Sequence, residues 1–453
     1  MTKDMTKGNT AKLIILFSIP LLIGNIFQQF YSMVDTIIVG RYVGVDALAA
    51  VGSTGSMFFL INGFVTGITS GFAILVAQKF GAKDESGLKK AVGSAIILSA
   101  LVVVIFTFGS LLSANPLLRL MNTPDNIFKD ASTYIRIIYG GIFATLSYNM
   151  LSSILRALGD SKTPLYFLII SSVLNIVLDL VFIINFKMGV AGAAYATIIS
   201  QGFSALLCLF YMLKRYKILR LKKEDFNVTK DYYVTHLKIG IPMALQFSIT
   251  AIGIMTVQSA INVFGSVVIA SFTASSKVQQ IAMQPAITLG VAMATFCGQN
   301  LGAGEFNRIR EGVRKGEEIS CITSIIAAFV LVFGGKYFMS LFIENPSDEI
   351  LRYGQLVFNY SAYFFIPLGL IFIYRNALQG MGESFMPMMA GVFELIARAV
   401  VAFTLPKFIG FTGICLADPF AWLAASIPLG IVYYKKIKKI TETNEGYLSE
   451  QYN

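Results

Sequence analysis

"LKRYKILRLKKEDFNVTKDYYVTH", residues 213–236, is the longest polar stretch of the chain, and the reading of what flanks it decides the fold. On both sides run apolar stretches of roughly 20 residues or more, the length an α-helix needs to cross a bilayer. They number twelve, six on each side: approximately 13–38, 48–78, 92–114, 132–155, 165–186, 190–213, 237–264, 268–298, 317–343, 353–378, 386–405 and 411–434. Of 453 residues, 55% are hydrophobic and 13% charged. With a mean hydropathy of +0.69, that is more apolar surface than a soluble domain can hide. The expectation is an all-α polytopic membrane protein. Its parts would be an N-lobe (1–213), an inter-lobe linker (214–236), a C-lobe (237–436) and a tail (437–453).

The net charge of +11 is a matter of topology, not of nucleic acid. The N-terminus, the polar segments 79–91, 156–164 and 214–236 with Lys238, and segments 299–316 and 435–453 hold 25 of the 36 Lys and Arg. The opposite loops hold seven: Arg41, Arg119, Lys129, Lys187, Lys336, Arg352 and Lys407. By the positive-inside rule both termini are then cytoplasmic, and the basic faces meet anionic lipid. "MTKDMTKGNT" leads into an apolar run too long for a signal peptide, so the first span should be retained. Cys208, Cys297, Cys321 and Cys415 lie apart at apolar positions, which suits neither a metal site nor a disulfide framework.

The halves repeat at an offset of about 220 positions. "GFAILVAQKFGA" (71–82) matches "GVAMATFCGQNLGA" (290–303), and "LRALGDSKTP" (155–164) matches "LQGMGESFMP" (378–387). "SIP" (18–20) matches "GIP" (240–242), and "GVAGAAYA" (189–196) matches "GFTGICLA" (410–417). Six spans per half makes the repeats parallel, related by an axis along the membrane normal, as in alternating-access transporters.

A charge near mid-membrane costs at least about 2.5 kcal/mol, so such residues face a bundle interior or a wet cavity. The first half places Asp35 on span 1, Asn149 on span 4, Asn175 and Asp179 one turn apart on span 5, and Thr197 and Gln201 one turn apart on span 6. Two carboxylates with amide and hydroxyl oxygens suit a small hard cation, such as Na+ between Asp35 and Asp179. The same carboxylates could instead share a proton. The second half carries Lys277, Arg375, Glu394 and Arg398; the last two, spaced i,i+4 with Glu first, read as a structural ion pair. Coupling chemistry is therefore expected in the first lobe. Gln28, Tyr31 and Gln201, with Gln246, Gln279 and Tyr374 of the second half, are candidates for a substrate cleft.

In order, spacing and repeat, the stretches "FSIPLLIGNIFQQFYSMVDTIIVGRYVG", "VAQKFGA", "LRALGDSKTP" and "GVAGAAYATIISQ", with their second-half echoes, resemble the multidrug and toxic compound extrusion (MATE) family over nearly the whole chain. The resemblance implies twelve helices in two six-helix lobes around a V-shaped central cleft, and export driven by an inward Na+ or H+ gradient. It implies an N-lobe cation site at Asp35, Asn149, Asn175, Asp179 and Thr197, and a bend of helix 1 at Pro20. Acidic residues that some branches carry in the C-lobe are missing here. The expected function is thus a secondary multidrug antiporter for lipophilic, often cationic compounds. It would work as a monomer in a prokaryotic plasma membrane, with no cofactor beyond the coupling ion.

A flippase for lipid-linked saccharides is the alternative, since related flippases share the two-lobe build. It would need a cavity rich in cations, and only Lys277, Arg375 and Arg398 offer themselves. An enzyme finds no support: His236 is the single histidine and no GxxxxGK[ST] phosphate loop is present.

Overall fold

The apolar stretches become helices, several of them longer than a bilayer requires. In the computed structural model, residues 4–343 and 346–451 are described, those from 443 onward by backbone alone. The first three residues, and residues 452 and 453 of the expected tail, lie outside the described part. Eighteen α-helices follow in order: α1 Thr10–Tyr42, α2 Val45–Ser53, α3 Gly55–Gly81, α4 Glu85–Leu120, α5 Asp125–Gly140, α6 Ile142–Ala157, α7 Lys162–Leu180, α8 Val190–Arg215, α9 Lys230–Ile261, α10 Ser266–Ala282, α11 Gln284–Gly302, α12 Phe306–Met339, α13 Asp348–Ala362, α14 Phe365–Gly380, α15 Phe385–Thr404, α16 Pro406–Ile409, α17 Phe411–Cys415 and α18 Ala417–Gln451. No strand occurs among the described residues.

Among the described residues nine spans stand alone by length and apolarity, and three bent pairs bring the number to twelve if each pair is one span. The bends are 46° between α5 and α6, 41° between α10 and α11, and 53° between α13 and α14. The α10–α11 bend has a local cause. Pro285 sits in the first turn of α11, where its missing N–H costs that turn nothing but cannot continue α10. The first-half counterpart, α3, has no proline and runs unbroken for 27 residues.

The internal repeat is written into the backbone. Left-handed residues recur in pairs 221 to 223 positions apart: Gly44 and Gly265, Lys83 and Gly304, Gly159 and Gly382, Gly189 and Gly410. The "LRALGDSKTP" and "LQGMGESFMP" motifs show why. Gly159 and Gly382, at φ +82° and +79°, end α6 and α14 identically. Gly159 N–H bonds Arg156 O and Asp160 N–H bonds Leu155 O, while Gly382 and Glu383 repeat this on Gln379 and Leu378. Such a Schellman ending demands a positive φ that glycine alone adopts without strain.

The chain forms two compact units whose boundaries fall inside helices and not at 213 and 237. One unit is Ile23–Ala244; the other joins Asp4–Leu22 to the chain from Leu245 onward. Both α1 and α9 therefore belong to two units, each changing over two residues after a proline, Pro20 and Pro242. Helix α1 itself runs unbroken through Pro20.

In the first unit, α9 crosses α3 at backbone contact. A Cβ on Gly67 would come 2.6 Å from Met243 O, and one on Gly71 2.5 Å from the Gly240 Cα. This is the small-xxx-small packing of membrane helices. In the second unit, Ile14 and Phe17 of α1 are buried in one core with Met293, Phe296 and Trp422.

The segment expected as a linker is docked on the first unit. It makes two short 3-10 turns, Lys217–Leu219 and Lys223–Phe226, before α9 begins at Lys230. Leu219 is buried. Tyr216 Oη donates to Asp160 Oδ2 at 2.8 Å, and burial with that carboxylate pushes the Tyr216 phenol well above its ordinary range. His236 lies wholly buried, its Nε2 3.1 Å from Ala91 O and 3.0 Å from Ser94 Oγ.

Candidate cation site and a neutralised charge cluster

Helical spacing builds the first site. Tyr31 and Asp35 share one face of α1, Ser171, Asn175 and Asp179 one face of α7, and Thr197 and Gln201 one face of α8, each at steps of four residues. The three faces meet inside the first unit. Tyr31, Ser171, Ser172, Asn175, Thr197, Ser200 and Gln201 line one recess with Leu168. Asp35 and Asp179 lie within hydrogen-bonding reach of one another. A π-helical turn, Val181–Asn185, follows Asp179 directly, a distortion frequent at functional sites.

Asp179 is wholly buried and Asn175 nearly so. Among the described residues neither carboxylate has a salt-bridge partner, and no donor reaches Asp35 Oδ1, either Asp179 oxygen, Asn175 Oδ1, Ser200 Oγ or Gln201 Oε1. Two adjacent carboxylates in this setting hydrogen-bond each other only if one holds a proton. Otherwise a cation must lie between them, since like charges this close cannot both persist unneutralised. Thr197 Oγ1 donates to Ala193 O at 3.0 Å, which leaves its lone pairs available as ligands. The orphaned oxygens fit a small monovalent cation: two charges with neutral oxygens around them. No three His, Cys, Asp or Glu side chains gather among the described residues, so the charge for a tightly held divalent ion is lacking.

Not every expected residue joins this group. Asn149 is half-buried on α6, donates to Thr145 O at 2.9 Å, and does not line the recess. Gln28 is exposed. Sequence reasoning missed Ser171, Ser172 and Ser200, which line the recess, and Tyr134 of α5, buried and within electrostatic range of Asp35, Tyr31 and Asp179. Nothing in the local pattern of "DASTYIRIIYG" sets Tyr134 apart from ordinary packing. Ser171 could have been found, since it stands one turn before Asn175 in "SSVLNIVLDL".

Four charged side chains of the second unit pair with one another, although no acceptor reaches Arg375 Nε or Arg398 Nη1 among the described residues. Glu394 does not rely on Arg398, which stands 4.0 Å away; its close partner is Arg375 of α14. Arg398 Nε instead bonds Asp418 Oδ1 of α18 at 2.7 Å. The expected pair is thus part of a four-residue cluster across three helices, two cations against two anions. The slot for it is cut in α9: a Cβ on Gly253 would fall 2.3 Å from Arg398 Nη1. Gln379 Nε2 donates to Gln246 Oε1 at 2.8 Å, Gln279 Nε2 to Ser361 Oγ at 3.3 Å, and Tyr374 stacks on Tyr433 at 5.6 Å.

Fold and sites together define a polytopic helical membrane protein built from a duplicated six-span unit, with one polar centre unneutralised and the other self-neutralised. Comparison with known proteins makes the class specific. The MatE family matches residues 20–181 and 240–404, so each half carries one copy. The probable multidrug resistance protein YpnP of Bacillus subtilis (strain 168) is 31% identical over 448 residues, 97% of this chain and 99% of its own length. A second protein of that strain, the probable multidrug resistance protein YoeA, is 31% identical over 97% of both chains. A crystal structure of MATE in complex with MaL6 superposes with a TM-score of 0.91 over 98% of this chain and all of that one, at 23% identity, a likeness of fold. The chain belongs to the MatE family, the MATE transporters, and is a multi-pass membrane transporter and not an enzyme.

Proposed function

We propose that the protein is a multidrug efflux antiporter, exporting lipophilic, often cationic compounds in exchange for Na+ or H+ by alternating access. The observation that carries this reading is the pair Asp35, half-buried, and Asp179, wholly buried, adjacent in one unit and without a countercharge. Asn175, Thr197 and Gln201 complete the oxygen set, and Tyr31 closes one side of the recess. The similarity to YpnP and YoeA, both probable multidrug resistance proteins, supports export of drugs as the task.

The coupling argument runs through α1. Asp35 sits on the part of that helix that belongs to the first unit, while Thr10–Leu22 belongs to the second. An ion that draws Asp35 towards α7 acts on a helix both units own. Such an ion shifts the conformational equilibrium only by its differential affinity for the two states. Ion and drug therefore exclude one another at successive stages of the cycle. Both termini face the cytoplasm of a prokaryotic cell in this reading, and a single chain suffices.

The test is efflux of ethidium from proteoliposomes holding purified protein, with Na+ and pH gradients imposed separately and Asp35→Asn beside the wild type. Gradient-driven movement that the variant loses supports the reading, and the effective gradient names the ion. Folded protein that moves ethidium under neither gradient sinks it and favours the lipid-linked saccharide flippase.

A further inference from the structure

The second copy of the repeated "VAQKFGA" motif has a role that the cation site does not use. At the end of α11, Gln299 and Asn300 are wholly buried, and Arg308 reaches them from the start of α12. What they hold is the chain's own beginning. Gln299 Oε1 accepts from Met5 N–H at 3.0 Å, Asn300 Nδ2 donates to Met5 O at 3.1 Å, and Arg308 Nη2 donates to the same carbonyl at 3.2 Å. Arg308 Nη1 donates to Gly8 O at 3.1 Å, and its Nε braces Asn300 Oδ1 at 3.2 Å. The Met5 side chain is wholly buried in the second unit's core beside Ile14 and Phe17.

The segment is shaped for this seat. Asp4 Oδ1 accepts from Thr6 N–H at 2.9 Å, Gly8 turns the chain at φ +94°, and Asn9 caps α1 by accepting from Lys12 N–H at 2.9 Å. The socket reads backbone groups at residues 5 and 8 and one apolar side chain at 5. That is how a peptide-binding site works: main-chain hydrogen bonds give affinity and a side-chain pocket gives register.

We infer that Gln299, Asn300 and Arg308 form a peptide socket whose ligand is residues 4–8, and that this latch clamps the first half of α1 to the second unit during part of the transport cycle. The reason lies in the ownership of α1. Movement of one unit against the other passes through α9 at Ala244–Leu245 and, on α1, must be absorbed at Leu22–Ile23 or by release of Asp4–Leu22. The latch sets how readily the second happens. It regulates the rate of exchange and leaves the carboxylates Asp35 and Asp179 in place, since its own residues lie in the other unit.

Thr10, buried at the start of α1, is the place to read the latch. With Thr10→Cys in a Cys321→Ser background, maleimide labelling reports exposure of α1's first turn; the native Cys208 and Cys415, both buried, report intact units. Arg308→Gln removes three hydrogen bonds and Met5→Ser empties the apolar seat. Each should raise the labelling rate roughly tenfold, as expected when a local opening loses several contacts, with Cys208 and Cys415 still protected. Each should also change the rate of exchange while direct cation binding is kept. Labelling at the wild-type rate in both variants overturns the latch. Cys415 labelled along with position 10 also overturns it, since the segment is then only part of the unit's fold. Faster labelling with unchanged exchange overturns its regulatory role. The labelling readout holds even if no gradient drives efflux, so failure of the antiporter reading and failure of the latch are distinguishable.

Discussion

In the first half of the duplicated fold, Asp35 and Asp179 face one another with no countercharge; in the second, Arg375, Glu394, Arg398 and Asp418 neutralise one another across three helices. The halves share helix endings, left-handed residues and a proline at each shared helix, so the scaffold does not cause the difference. Side chains do. A buried charge needs a partner. The second half supplies one from within, and in the proposed function the first leaves the place for an ion that comes and goes. Duplication has thus produced one lobe suited to sensing a cation and one whose polar core is fixed.

The sharpest way to break this contrast is to neutralise each centre in turn. Asp179→Asn, or Asp35→Asn, should reduce gradient-driven efflux to background with normal yield and folding, measured in proteoliposomes beside a melting curve. Removing one partner from the other cluster, as in Arg375→Met, should instead damage folding, by about 3–5 kcal/mol, because Glu394 loses its close partner and keeps only Arg398, 4.0 Å away. The paired change Arg375→Met with Glu394→Leu should recover most of that loss and keep coupling. If the pair change abolishes coupling at normal stability, the two centres are not different in kind.

Smaller effects sharpen the same comparison. Asn175→Ala should weaken the apparent affinity for the coupling ion while sparing maximal rate, since it removes a neutral ligand but neither charge; efflux rate against ion concentration shows this. Gly159→Ala and Gly382→Ala should each cost about 1–2 kcal/mol, alike in both halves, because both force a Cβ into the left-handed region. The smallest effect distinguishes the halves again. Asp84 caps α4 by accepting from Gly87 N–H at 2.7 Å, and the Lys79 side chain with that amide holds its carboxyl below the usual range. Glu305, in the matching place before α12, makes no side-chain cap. Asp84→Ala should therefore cost roughly 1 kcal/mol, with Glu305→Ala near neutral. The Asp84 contribution is present at neutral pH and fades as acid protonates its depressed carboxyl.

Much of this was legible in the sequence because bilayer physics leaves few choices. Twelve apolar stretches and an even split follow from length and composition alone. So do the four-residue steps that put Asn175 with Asp179 and Thr197 with Gln201. Tertiary choices were not legible. No periodicity says that α1 and α9 each change units after a proline, that Glu394 prefers Arg375 on another helix to Arg398 one turn away, or that Tyr134 stands beside the carboxylates. Each depends on which helices become neighbours, and helical faces in a membrane chain are apolar enough to permit several neighbours.

The central claim is that one ion binds between Asp35 and Asp179 and nowhere in the second half. The most direct test is ion binding to purified protein in detergent or nanodiscs, by radioactive Na+ uptake and by proton release on Na+ or drug addition. Wild type and the Arg375→Met with Glu394→Leu variant should each bind one Na+, or release one proton, per chain, and Asp35→Asn and Asp179→Asn neither. Undiminished stoichiometry in both aspartate variants, or its loss only when the second-half cluster is changed, would contradict the account.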